Sequence, residues 1–333
     1  MAELTVCMNV YNGAETLRTS IGSVLKQTYQ DFTILVYDDG STDNTVEVLR
    51  SFHDDRMRIV MGGGNHGSFY ARMKMIPMID TKYFVWLDDD DCFCRDDALE
   101  YMVRTIKSGD YDFVNFSTYQ CVTPDGVTKT ISTREPRDYT SFDGKLFENY
   151  YPVPNKNVFW SKIFKTEFFM KSVPDQSVLD YDFIAEDLFF SPIWYYISKR
   201  YYNMETNEPL YCYHRGIGVW GSKEKDESVQ RFSDVCKMRH YSLLFSYKKM
   251  CTFRKPSPKE VMCLVNGEYL FILIDWIRKI WEKDGEEKAR AYVDEWRKWF
   301  GGDGRHLLTG FNDAFNMPVY VFALENNMKP KEK

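Results

Sequence analysis

Four consecutive aspartates, Asp88 to Asp91, stand directly behind the apolar run Tyr83-Phe84-Val85-Trp86-Leu87. Carboxylates this close repel one another: a pair ~4 Å apart costs on the order of 4 kcal/mol at an effective dielectric of ~20. Two arrangements relieve that cost. In a solvated turn, water screens the charges; with a divalent cation bound, the cluster becomes a site with a task. Further acids stand at comparable places, Asp38-Asp39 behind the apolar run 32–37 and Glu186-Asp187 ahead of Leu188-Phe189-Phe190. The Glu186-Asp187 pair reads by itself as first-turn acids meeting the positive end of a helix dipole. Cys92 and Cys94 follow the aspartates with one residue between them. A structural zinc site needs four N/S ligands, no second close pair of Cys or His stands out, and both thiols are read as packing.

The elements around these residues explain why they would meet. Apolar runs at 4–10, 32–37, 57–61 and 83–87 alternate with helical stretches. In the first stretch Ala14, Leu17, Ile21, Val24 and Leu25 recur at the 3.6-residue period. Ser41, Thr42 and Asp43 offer N-caps for a helix over 41–52, and Asp96 one for a helix ending near Gly109. Strands separated by such helices form a mainly parallel, Rossmann-like sheet with helices on both faces through right-handed crossovers. In such sheets ligands bind beyond the carboxyl ends of the strands. Tyr11-Asn12, Asp38-Asp39, Gly62 to Gly67 and Asp88 to Asp91 therefore converge. Pro124-Asp125-Gly126 signals a hairpin within 111–132, 133–144 reads as a loop, and a helix is expected near 161–171. Further strands are expected at 199–204 and 209–214, and a helix from Glu186. Amphipathic helices follow over roughly 226–250, 259–283 and 286–300.

Composition narrows the classes. With 44% hydrophobic residues in 333, the chain can bury a substantial core. A net charge of -6 argues against nucleic acid as the main partner. The N-terminal segment carries Glu3 and no basic region, and the eight cysteines show no paired CxxC spacing. Both features lead to the expectation of a cytoplasmic protein, at most at the inner face of a membrane. The run 269–277 contains Asp275 and is shorter than the ~20 residues a membrane span needs.

Taken together, five stretches resemble the family 2 glycosyltransferases of GT-A fold: 6–45, Asn65-His66-Gly67, Leu87 to Asp91, Ala185 to Phe190, and 209–222. The resemblance implies a GT-A domain over 1–222, with a nucleotide-sugar-binding half (1–115) and an acceptor-binding half (116–222), followed by a C-terminal helical region over 223–333. It further implies an inverting enzyme that uses a nucleotide-diphosphate sugar, most simply a UDP-sugar, with Mn²⁺ or Mg²⁺. By position Asp39 would read the uracil edge and Tyr11 would pack on the base, with Asn65, Gly67 and Arg72 near the nucleoside. Asp88 and Asp90 match the two acids of the DxD motif, Asp90 as direct metal ligand and Asp88 on ribose or a metal-bound water. Asp187 matches the catalytic base, with Glu186 as fallback. Where relatives often carry Tyr-Arg this chain departs with Tyr213-His214-Arg215, which leaves the register open: Arg215 would pair with the diphosphate, or His214 would instead complete the metal shell.

The chemistry of the residue types is consistent with those roles. A carboxylate accepts a hydrogen bond from a base N–H, and hard dications favour carboxylate and phosphate oxygens. One base suffices, because the metal stabilises the leaving group. The implied acceptor is a glycan or lipid-linked glycan, with a protein or modified nucleobase as alternatives. Trp276, Ile277, Ile280 and Trp281 form a helical face that would either rest on a membrane or cover the catalytic domain. Two rivals remain: a nucleotidyltransferase, which would want more than the lone Gly13 after the first strand, and a non-catalytic sugar-nucleotide-binding scaffold.

Overall fold

The computed structural model describes residues 2–116, 118–132, 137–140, 158–175, 178–179, 187–204, 206, 208–214, 228–257, 260, 264, 276–277 and 279–300. Two compact units are formed, one from Met1–Leu146, Asn155–Val173 and Ile197–Lys223, the other from Phe147–Pro154, Pro174–Tyr196 and Glu224–Lys333.

In the first unit β1 (Leu4–Val10), β2 (Phe32–Asp38), β3 (Met57–Met61) and β4 (Tyr83–Trp86) are parallel and lie in the order β3-β2-β1-β4. Helices α1 (Leu17–Leu25), α2 (Thr45–Arg50) and α3 (Ser68–Met75) make the crossovers. The sequence places all of these elements: β1, β2 and β4, buried along nearly their whole length, read as continuous apolar runs, and β3, which is largely exposed, follows from the alternation with helices. Leu4, Val6, Met8 and Val10 pack into one cluster with Leu17, Ile21 and Val24 of α1 and with Leu99, Met102 and Val103 of α4 (Ala98–Ser108). The opposite face of β4 presents Phe84, whose ring meets Phe169 of α5 (Thr166–Ser172) at 4.9 Å.

The sheet continues beyond β4 through β10 (Lys162–Lys165), β6 (Phe113–Phe116), β11 (Arg200–Met204) and β9 (Arg137–Thr140). Strand β10 runs antiparallel to both β4 and β6. Two expectations change here. The segment read as a helix near 161–171 is a strand and then a helix, because Lys162–Lys165 supplies the ladder between β4 and β6. Within the stretch read as a loop, Arg137–Thr140 is a strand paired with β11, the last of this sheet among the described residues; a strand is completed by its partner's ladder rather than by an apolar run of its own.

A smaller sheet of order β5-β12-β7-β8 comprises β5 (Cys92–Phe93), β12 (Tyr211–His214), β7 (Thr118–Val122) and β8 (Thr128–Ser132). The hairpin expected around Pro124 to Gly126 joins β7 to β8. The two-residue β5, too short to carry a period, was not foreseen.

In the second unit α6 (Asp187–Ile197), α7 (Val229–Cys251) and α8 (Glu286–Phe300) are helical. Phe232 of α7 meets Trp276 and Tyr292 edge-on, each at 5.3 Å. Of the face Trp276, Ile277, Ile280 and Trp281, both isoleucines are buried, Trp276 packs on Phe232, and Trp281 is 40% exposed. Among the described residues no helix is long and apolar enough to cross a membrane.

Candidate active site

The carboxyl ends of β1, β2 and β4 are adjacent because β1 lies between the other two, so the loops leaving them share one sheet edge. The first two loops are tied together. Asn12, in the left-handed region at φ 55°, donates from its N–H to Ser41 Oγ at 2.9 Å and accepts from the Thr42 N–H at 2.8 Å. Close approach explains two glycines. A Cβ on Gly13 would sit 2.5 Å from Asp89 Oδ2, and one on Gly40, at φ +77°, would sit 2.6 Å from the Gly64 backbone. Tyr11 stands beside this junction, 42% exposed.

Asp39 is buried, and its two oxygens differ. Oδ2 accepts from the backbone N–H groups of Gly67 at 2.7 Å and His66 at 3.0 Å. Oδ1 is buried without a hydrogen-bond partner, with His66 Nδ1 3.8 Å away. Burial raises the Asp39 carboxyl above its usual range, against the lowering effect of the two amides. Asn65 holds the same turn by accepting from the Gly67 N–H at 3.2 Å.

The four aspartates behind β4 have distinct surroundings. Asp88 accepts from the Arg72 guanidinium at 2.8 Å, and Arg72 also donates to Asn9 Oδ1 at 3.2 Å while lying over the rings of Phe159 and Trp86. Arg72 is therefore a buried cation fixed between β1 and the acidic turn. Asp91 is buried and doubly bound: it accepts from Tyr211 Oη at 2.7 Å and from the His214 backbone N–H at 2.7 Å. The Tyr211 hydroxyl also accepts from the Asp88 N–H at 3.3 Å. Asp89 is raised well above the ordinary carboxylate range by burial and then by Asp90 and Asp88. Asp90 is pushed up to about 7 by burial and then by Asp91 and Asp88. Arg72, Tyr211 and the His214 amide therefore answer Asp88 and Asp91, while the crowding falls on Asp89 and Asp90. A hard dication would relieve that crowding and finds carboxylate oxygens suited to it.

Behind the turn lies a different donor set. Cys92 pairs directly opposite Cys212 on antiparallel β5 and β12. Cys92 Sγ, Cys212 Sγ and a His214 ring nitrogen lie within 4.8 Å of one another. Cys92 and Cys94 both lean on the Cys212 sulfur, which lowers the Cys212 thiol below its usual range and raises theirs. His214 directs Nε2 to Cys212 Sγ at 4.0 Å and Nδ1 to Asp91 Oδ1 at 3.7 Å. The Asp91 carboxylate beside the ring raises its basicity. Sequence reasoning passed over this group, although Cys212-Tyr213-His214 has the same one-residue gap as Cys92-Phe93-Cys94. It also gave no separate place to Asp91 or Tyr211, whose partners are more than a hundred residues apart in sequence.

Asp187 opens helix α6 in the second unit and is half-buried. Glu186 and Arg215, with the glycine-rich 216–222, lie outside the described residues.

An α/β domain with a largely parallel central sheet of this order is the GT-A fold of glycosyltransferases. The chain belongs to glycosyl transferase family 2, whose sequence profile matches residues 5–168, and the protein is thus a transferase enzyme. It is 23% identical over 280 residues to the glycosyltransferase GlyG of Streptococcus pneumoniae serotype 4, an alignment covering 78% of this chain and 93% of GlyG. Among the solved structures that share the fold are two with a nucleotide sugar bound. One is S. aureus TarS 1-349 in complex with UDP-GlcNAc, with TM-score 0.55, 16% identity, and 95% of this chain and 94% of that one covered. The other is the mannosyltransferase PcManGT of Pyrobaculum calidifontis in complex with GDP-Man and Mn²⁺, with TM-score 0.51, 15% identity, and 98% and 86% covered.

Proposed function

We propose that the protein transfers a sugar from a UDP-sugar to an acceptor hydroxyl on a glycan or lipid-linked glycan, with inversion at the anomeric carbon and with Mn²⁺ or Mg²⁺ bound. The observation that carries the choice of donor is the buried, partnerless Oδ1 of Asp39. Buried acceptors are nearly always paired, and a uracil N–H is a donor of the right kind for this one. Tyr11 offers an exposed ring at the same junction for the base to pack on, and the Asn65 to Gly67 turn borders it.

Asp90, with Asp88 oriented by Arg72, would hold the cation. When bound, the ion offsets the charge of the departing diphosphate. His214 is left out of this shell because its Nε2 faces Cys212. Asp187 accepts the proton of the acceptor hydroxyl as that oxygen bonds to the anomeric carbon and the bond to the diphosphate breaks on the opposite side. Glu186 is the reserve base, and Arg215 pairs with the diphosphate oxygens. The likeness to TarS, solved with UDP-GlcNAc, and to PcManGT, solved with GDP-Man and Mn²⁺, supports a nucleotide-sugar donor and a dication.

A panel of nucleotide sugars with Mn²⁺, Mg²⁺ or neither, read as free nucleotide released and as thermal stabilisation, tests this. UDP release that requires a dication is expected. Asp90→Asn should lose metal-dependent donor binding, whereas Asp187→Asn should bind donor and lose transfer by about 10²-fold or more. Wild-type transfer by Asp187→Asn refutes the base assignment. Stabilisation without turnover would identify a scaffold, and pyrophosphate released from a nucleoside triphosphate a nucleotidyltransferase.

A further inference from the structure

The geometry points to a second metal centre, separate in chemistry from the acidic turn: Cys92, Cys94, Cys212 and His214 form a four-ligand site for Zn²⁺ at the edge of the smaller sheet. Strand geometry brings them together. Residues two apart share a face, so Cys92 and Cys94 project from the same side of the β5 segment, and Cys212 and His214 from the same side of β12. Register brings Cys92 directly opposite Cys212, while Cys94, whose N–H donates to the Leu210 carbonyl at 3.0 Å, sits one pair further along the ladder, beside Leu210. The opposite face of the ladder is aromatic, with Trp160 stacked on Tyr211 at 5.0 Å and on Tyr213 at 5.4 Å.

The distances suit zinc. Tetrahedral bonds of about 2.3 Å to sulfur and about 2.0 Å to nitrogen put neighbouring ligand atoms ~3.5–3.8 Å apart. Here three of them lie within 4.8 Å, and the Cys212–His214 separation is 4.0 Å. Small side-chain rotations close the difference. Cys94, two residues from Cys92 on the same side of the segment and 3.6 Å from Gln120 Oε1, would swing in from outside that trio to supply the fourth ligand. Asp91 stands behind the histidine, its Oδ1 3.7 Å from Nδ1, the position from which a carboxylate orients a ligating imidazole. Sulfur and imidazole donors select zinc over Mn²⁺ or Mg²⁺, so this centre and the carboxylates of the acidic turn would not compete for one ion.

A disulfide between the facing Cys92 and Cys212 is the rival arrangement. It would use two of the four groups and give no purpose to the histidine aimed at the sulfurs or to the carboxylate behind it. With all four positions filled by protein the centre is structural: three thiols release their protons as zinc binds, and β5, which leads out of the acidic turn, is fastened to β12.

The full chain, produced with zinc in the medium and purified under reducing conditions without chelator, should carry one zinc per chain by elemental analysis. Asp90→Asn should keep it, while Cys92→Ser or Cys212→Ser should lose it. Exchange into Co²⁺ should give the thiolate charge-transfer and tetrahedral ligand-field bands, a readout on wild-type protein that stands even where a cysteine variant fails to fold. Chelation should lower the melting midpoint by about 5–10 °C. The proposal is overturned by wild-type protein that stays zinc-free with reduced thiols after incubation with zinc, by a cobalt spectrum lacking thiolate bands, by zinc that leaves with Asp90→Asn, or by a Cys92–Cys212 disulfide in the fresh protein.

Discussion

Replacing Asp39 with Asn isolates the reading of the base. In the native side chain Oδ2 accepts from Gly67 and His66, and Oδ1 is buried with no partner. The Asn amide oxygen can take over the two backbone bonds, which puts the NH₂ group where Oδ1 was. A uracil N–H would then face another donor. A hydrogen bond to a charged acceptor contributes ~1.5–3 kcal/mol, and the stranded donors add to the loss, for a total of about 2–4 kcal/mol. The Kd for UDP should therefore rise about 30- to 700-fold. Cytosine presents an acceptor in place of that N–H, so CDP should lose less, and the UDP/CDP preference should narrow or reverse. The fold should be little affected, with a melting midpoint within about 2 °C of wild type, since both backbone bonds survive and a carboxyl raised by burial gives no stability at neutral pH. Isothermal titration with UDP and CDP, beside a thermal melt, checks each part. A folded variant that binds UDP within twofold of wild type, or that loses UDP and CDP equally, refutes the reasoning.

Two further outcomes follow from the acidic turn. Asp89 and Asp90 are raised in the folded chain, Asp90 to about 7, so between the unfolded and folded values the native state binds more protons. The contribution of Asp90 to stability is present at low pH and is lost as pH rises through about 7, and that of Asp89 has the same sign. Melts without dication should fall between about pH 5 and about pH 8, and stabilisation by Mn²⁺ with UDP should grow over the same interval; a pH-independent effect of metal would count against the assignment. Tyr211→Phe removes the hydroxyl that donates to Asp91 at 2.7 Å and accepts from the Asp88 N–H at 3.3 Å, and chemical denaturation should show a loss of about 2 kcal/mol. A loss below about 0.5 kcal/mol would mean that water replaces the hydroxyl without cost.

The sequence alone determined the parallel half of the sheet. Runs such as Leu4–Val10 and Phe32–Asp38 are apolar on both faces because helices cover both, and the interleaved periodic segments left one sensible topology. That topology also placed Asp39 and the four aspartates at one edge, since strand ends are local features and the crossover rule is general. Only tertiary structure assigned the aspartates different states. Asp91 depends on Tyr211 and the His214 amide, Asp88 on Arg72, and no local period encodes such pairings. The ladder of Lys162–Lys165, the strand Arg137–Thr140 and the meeting of Cys92 with Cys212 were hidden for the same physical reason. A strand is completed by its neighbour's hydrogen bonds, and that neighbour is chosen by the folded sheet rather than by the residues beside it in the chain.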